Sequence, residues 1–303
     1  MKKIAAFLSL TFCMPIVHAA ESTEVNMQQD GNIFYDANRY PNGIGGIASG
    51  HTVQMAMDAN GVLFDQDESM GTRLRLMKNV AVKEGVRYML WLAGKGFQVK
   101  AEKKRLQKKG DDRGYCSDSI FIMMGEEAAD LYGPEYGLML IKTLRDSTLQ
   151  VVTPNLEVAR LLKKLRESGH RIALLSNMGN SLLKLQAKAL DAKIKSGELV
   201  GDELEASKFL YAILSDEDHN VVANSLTGNP HKPADIMYQE FLRVNRPEGA
   251  QEEHITILVD DKMESIVGAV KNGFIGILCG KCKAAPAMTE ALPKLMGADC
   301  FIE

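Results

Sequence analysis

The sequence predicts an α/β fold: a doubly wound parallel sheet carrying an inserted helical segment. Three observations predict it. From about residue 150 onward, short apolar runs alternate with amphipathic helices, the pattern of a parallel sheet wrapped on both faces. A further apolar run, Val53–Met57, stands well upstream of that region. Between the two, from about Ser69 to Gln150, apolar residues recur at helical spacing with no strand alternation. With 303 residues, 46% of them apolar and 25% charged, the chain can bury a sizeable core, which excludes a disordered chain and a disulfide-only scaffold.

The elements follow in order. Residues 1–20 have the layout of a secretory signal: Lys2 and Lys3, then apolar Ile4 to Phe12, then a small-residue exit at Val17-His18-Ala19 or His18-Ala19-Ala20. The apolar stretch is too short to span a bilayer. The expectation is an exported protein, periplasmic or secreted, with no membrane association after signal removal. Residues 21–50 are polar and glycine-rich, ending in Pro41-Asn42-Gly43-Ile44-Gly45-Gly46, and are expected to form a flexible lead-in. A net charge of −3 and only 6% aromatics lack the basic footprint and stacking platforms of a nucleic-acid binder.

The core is assigned to residues 51–66 and 150–303, and the helical segment to 67–149. Val53–Met57 is a strand, and Gly61-Val62-Leu63-Phe64 a compact hairpin-like or single-turn element. Within the helical segment, Lys100–Lys109 is a solvated basic face broken by Lys109–Gly114, and helices are expected over 126–132 and 136–144. Asn155–Glu167 is an amphipathic helix with Pro154 at its start. Arg171–Leu175 is a buried strand, Ser181–Lys193 a helix, and Ile213-Leu214 a short strand. Ala234–Val244 and Ser265–Lys271 are helices, and Ile255–Val259 and Gly276–Leu278 strands. In an oxidising compartment Cys116, Cys279, Cys282 and Cys300 could pair, with no connectivity preferred by the sequence. Cys279-Gly280-Lys281-Cys282 follows a strand rather than opening a helix, so a structural thiol or disulfide is expected there rather than redox chemistry.

Four polar groups fall just beyond these strands. Asp58 and Asn60 follow Val53–Met57, Ser176-Asn177 follows Ile172–Leu175, Lys232 precedes a helix, and Asp260-Asp261 follows Ile255–Val259. Parallel strands would bring all four to one sheet edge, where chemistry in such folds gathers. The mixture suits phosphoryl transfer. A carboxylate nucleophile needs a cation to screen its repulsion with phosphate, and acids elsewhere in the site can hold Mg²⁺, which prefers oxygen ligands. Lysine and hydroxyl donors then neutralise the group in transit.

In order and spacing these segments resemble the four motifs of the haloacid dehalogenase superfamily, most of whose members are phosphatases. The matching stretches are Met55-Ala56-Met57-Asp58-Ala59-Asn60-Gly61-Val62, Ala173-Leu174-Leu175-Ser176-Asn177, His231-Lys232-Pro233 and Ile257-Leu258-Val259-Asp260-Asp261. The resemblance implies a Rossmann-like core with residues 67–149 as an α-helical cap. It also implies Asp58 as nucleophile and metal ligand, Asn60 offering its main-chain carbonyl to the metal, and Asp260 and Asp261 completing the Mg²⁺ site. Ser176, Asn177 and Lys232 would bind a small phosphorylated substrate. One position departs from the family pattern: the acid–base Asp two residues after the nucleophile is Asn60, and an amide cannot give up and retake a proton. A second class therefore stands beside the hydrolase, an exported binding or interaction protein that keeps fold and pocket with little turnover.

Overall fold

In the computed structural model the described residues are 25–66, 94, 98–99, 101–109, 111, 113, 116–150, 152–223, 225–226, 230–246, 254–280 and 283–297. The expected signal at 1–20, Cys282 and Cys300 lie outside them.

The strands are β1 Met27–Asp30, β2 Ile33–Asp36, β3 Val53–Met57, β4 Phe64–Gln66, β5 Val152–Pro154, β6 Arg171–Gly179, β7 Val221–Ala223, β8 Ile255–Asp260 and β9 Ile275–Leu278. From residue 117 onward the described helices are α1 Ser117–Tyr132, α2 Pro134–Gln150, α3 Leu156–Glu167, α4 Asn180–Ser196, α5 Gly201–Leu214, α6 Asp235–Asn245, α7 Met263–Lys271 and α8 Ala284–Met296. The main sheet has seven strands in the order β1-β2-β9-β8-β3-β6-β7. β9, β8, β3, β6 and β7 run parallel, and β2 joins β9 antiparallel. The chain order therefore reverses at β3, which lies between β6 and β8. That reversal opens a crevice at the strands' carboxyl ends.

Both faces of the sheet are covered, and β3 shows how. All five of its residues are buried, so the run has no polar alternation. Val53, Met55 and Met57 join the core beneath α3, α4, α5 and α8, whereas Ala56 joins the core beneath α6 and α7. The two-residue period of a strand thus feeds two cores from one apolar run. A third cluster lies in the helical segment, around Leu106, Ile120, Phe121, Met124, Leu140 and Leu144. β4 and β5 pair antiparallel, Gln66 opposite Val152. The chain between them leaves and returns through this short ladder.

The structure corrects several expectations. Residues 25–50 form the antiparallel β1–β2 pair and a buried approach rather than a loose lead-in. Ile33, Phe34, Tyr40, Ile44 and Ala48 are buried, and the Gly46 and Ala48 amides donate to main-chain oxygens of α8. Ile213-Leu214 ends α5 instead of forming a strand; Ala206, Leu210, Ile213 and Leu214 make its buried helical stripe. The strand is Val221–Ala223. Pro154 closes β5, and the N-cap of α3 is Asn155, whose side chain accepts from the Val158 amide at 3.1 Å. Cys116 and Cys279 are buried free thiols. Among the described residues, no helix is long and apolar enough to cross a membrane.

Candidate active site

The carboxyl ends of β3, β6 and β8 bring the residues singled out in the sequence together. Asp58 follows β3 directly and is held by main-chain pairing, its amide donating to the Val259 carbonyl at 3.0 Å. Ser176 lies inside β6, which continues to Gly179 through an irregular register. Its hydroxyl donates to Asp58 Oδ1 at 2.8 Å and accepts from the Met178 amide at 3.2 Å. Lys232 Nζ donates to Asp58 Oδ1 at 3.0 Å and to Asp260 Oδ2 at 2.5 Å. Its side chain is 1% exposed. A buried ammonium persists only where it is paired this fully.

Asn177 explains how the lysine is aimed. Its amide spans the Lys232 peptide, Oδ1 accepting from the Lys232 N–H at 2.6 Å and Nδ2 donating to the Lys232 carbonyl at 2.9 Å. Both polar ends of this side chain, expected to face substrate, grip the main chain that carries the lysine. The Lys232–Pro233 peptide is cis.

Asp58, Asp260 and Asp261 form one carboxylate cluster, with one oxygen from each lying within 4.8 Å of the others. Asp261 Oδ1 and Asn60 Oδ1 are buried atoms without a hydrogen-bond partner. An orphaned carboxylate oxygen beside two further carboxylates fits a metal site, and an all-oxygen donor set suits a hard divalent cation. Three acids crowded together otherwise repel.

The electrostatics divide the three acids. Burial pushes the Asp58 carboxyl up, but the charges of Lys232 and Lys262 and the Ser176 and Lys232 hydrogen bonds outweigh it. The net effect holds Asp58 below its ordinary value. Burial pushes Asp260 up to about 6 against the pull of Lys232, with Asp58 adding repulsion. Asp261 is raised by burial first and by Asp58 second. On Lys232, burial opposes the charge, but Asp260 and Asp58 prevail and raise it. Of the three acids, Asp58 is the one whose surroundings favour the ionised form on balance. Its bonds from Ser176 and Lys232 both fall on Oδ1.

Two contributors were not singled out in the sequence. Lys262 donates its amide to Asp260 Oδ1 at 2.8 Å and adds a positive charge felt by all three acids. Its position directly after the acid pair was the available signal. Gly61 closes the turn beside Asn60, with φ +90° and its amide donating to the Phe64 carbonyl at 2.7 Å. A Cβ there would sit 2.8 Å from Asp261 Oδ2. Gly61→Ala is therefore expected to cost roughly 1–3 kcal/mol through backbone strain and to displace Asp261. A thermal melt and a calorimetric Mg²⁺ titration should both show weakening; an unchanged melting temperature would contradict the assigned contact. In the helical segment, Asp111 and Arg113 pair with each other, Nη2 to Oδ2 at 2.6 Å.

No family model and no curated protein matches this chain. Among solved structures, one described as a crystal structure of a dehalogenase resembles it with a TM-score of 0.39 and 19% identity, over 74% of this chain and 83% of that one.

Proposed function

We propose that this chain is a Mg²⁺-dependent hydrolase of the haloacid dehalogenase type, acting on a small phosphorylated metabolite through an aspartyl intermediate. What carries the proposal is the convergence of an ionised Asp58, a hydroxyl, a buried lysine and two further acids at the sheet's reversal point. Asp58, Asp260 and Asp261, with the Asn60 main-chain carbonyl, are the groups that would hold Mg²⁺. When bound, the ion screens the repulsion between the Asp58 carboxylate and the incoming phosphate. Asp58 Oδ2 attacks phosphorus, and the bond to the leaving oxygen breaks with its electron pair on that oxygen. Lys232 and Ser176 counter the charge on the phosphoryl oxygens. Water then cleaves the aspartyl-phosphate and restores the carboxylate.

The proposal extends to residues 67–149 as a helical cap and to residues 1–20 as an export signal. The β4–β5 stem and the separate apolar cluster of the helical segment support the cap. The test of the whole is phosphate release from p-nitrophenyl phosphate by purified protein. Release should require Mg²⁺, stop with EDTA and return on adding Mg²⁺ in excess. Release indifferent to EDTA would contradict the metal assignment.

Asn60 sets the efficiency. An amide offers no proton to the leaving group and is a poor base toward water. Asn60→Asp is expected to raise turnover roughly 10-fold or more, a modest share of the usual acid–base contribution. The gain should be largest with alkyl phosphates, whose leaving groups most need a proton. Two nearby acids are placed differently: Asp65 accepts from Asn155 Nδ2 at 3.2 Å, and Glu264 is exposed on α7. Equal turnover and equal leaving-group dependence in the variant would show that Asn60 does not occupy the acid–base position. The same residue favours the second function, an exported binding protein. Calorimetric Mg²⁺ binding with no turnover across a broad panel of phosphate esters would select it.

A further inference from the structure

The helical segment meets the strand that carries Ser176 at Asp118, a buried side chain held by an ion pair within the segment. Asp118, in the first turn of α1, is 1% exposed. It accepts from Arg145 of α2, Nε to Oδ1 at 2.7 Å and Nη2 to Oδ2 at 3.1 Å. This bidentate fork fixes the orientation of both side chains. The same carboxylate rests on Gly179, the last residue of β6, where a Cβ would lie 2.8 Å from Asp118 Cβ and 3.0 Å from Oδ2. Only a glycine lets the helix approach this closely. α1 and α2 also form a tight unit: a Cβ on Gly137 would overlap the Gly125 carbonyl, and Ile120, Met124, Leu140 and Leu144 share one cluster. β6, by contrast, is held in the sheet between β3 and β7.

We propose that the Asp118–Arg145 pair is a positioning contact. It seats the hairpin on the Gly179 end of β6 and so sets where the hairpin stands relative to Ser176, three residues earlier on that strand. The kinetic arm of the test rests on the phosphoryl-transfer proposal; the contact itself does not.

Asp118→Asn removes the charge while keeping the shape, and Gly179→Ala pushes Asp118 off the strand while leaving the pair intact. Both variants are expected to raise KM for p-nitrophenyl phosphate roughly tenfold, with kcat within about threefold of the parent. Leu140→Ala, which loosens the hairpin's own cluster away from β6, is the control. It should lower thermal stability without that split between KM and kcat. Amide hydrogen exchange supplies a second readout: Asp118→Asn should accelerate exchange in residues 176–180 together with 117–132, and Leu140→Ala in the hairpin alone. If Asp118→Asn does not fold, Gly179→Ala decides both readouts. Unchanged KM at equal loss of stability would reduce the pair to a structural role and overturn the proposal. If the parent releases no phosphate at all, the hydrolase proposal fails, and exchange decides this one: no acceleration at 176–180 overturns it.

Discussion

Asp58→Asn is expected to abolish phosphate release, by at least ~10³-fold in kcat, the scale of losing a nucleophile. The substitution keeps the side chain's size and leaves an oxygen that can still accept from Ser176 and Lys232, which now reach Oδ1 at 2.8 and 3.0 Å. What it removes is the negative charge and the Oδ2 proposed to attack phosphorus. Folding should survive, because Lys232 retains its pair with Asp260 and one of three crowded carboxylates is gone. A phosphate-release assay and a thermal melt on the same preparation separate the two effects. Retained turnover would remove Asp58 from the chemistry, whereas lost turnover with a collapsed melt would leave only a structural defect.

Lys232→Met should have the largest effect on stability. The side chain is 1% exposed and bridges two buried carboxylates. Replacing it with an apolar chain of similar length strands both charges, at a cost of roughly 3–5 kcal/mol at neutral pH. The pH dependence follows from the shifts. In the parent, Asp58 is held below its ordinary value, so its pairing contributes stability above that value and loses it as the pH falls. Without Lys232, burial acts unopposed on Asp58 and Asp260 and raises both. A raised carboxyl penalises the folded state above its folded value, and the penalty fades as the pH drops through it. Urea melts should therefore show the variant's deficit shrinking from neutral toward acidic pH. A deficit that grows on acidification would contradict the assigned bridge. Excess Mg²⁺ at neutral pH should also restore part of the loss, since it supplies positive charge to the same acids.

The parallel core was legible because its strands are dense apolar runs with acids, a hydroxyl or a lysine placed just after them. Val53–Met57 and Ile255–Val259 are buried throughout, and period alone places Asp58 and Asp260 side by side once those strands pair. The edge was not legible. Ile33 and Phe34 pair with β9, more than two hundred residues away in sequence, and glycine-rich surroundings hide so short a strand from any local pattern. β7 is only three residues long, shorter than a periodicity can register, whereas the apolar pair at the end of α5 imitates a strand. At the site, residue types could be assigned but not their division of labour. Nothing in Ser176-Asn177 tells that the serine reaches Asp58 while the amide clamps the Lys232 peptide. That division depends on the irregular end of β6, which only the three-dimensional register reveals.

The aspartyl mechanism predicts where the phosphoryl group goes. Purified protein mixed with p-nitrophenyl phosphate and Mg²⁺, quenched in acid and digested, should carry one phosphoryl group on the peptide that contains Asp58. Because Asn60 is a poor base toward the attacking water, the species should persist in the parent and fade in Asn60→Asp. The label should be absent from Asp58→Asn. Phosphate release with no acid-stable label on that peptide in either protein, or a label that survives Asp58→Asn, would contradict the aspartyl mechanism.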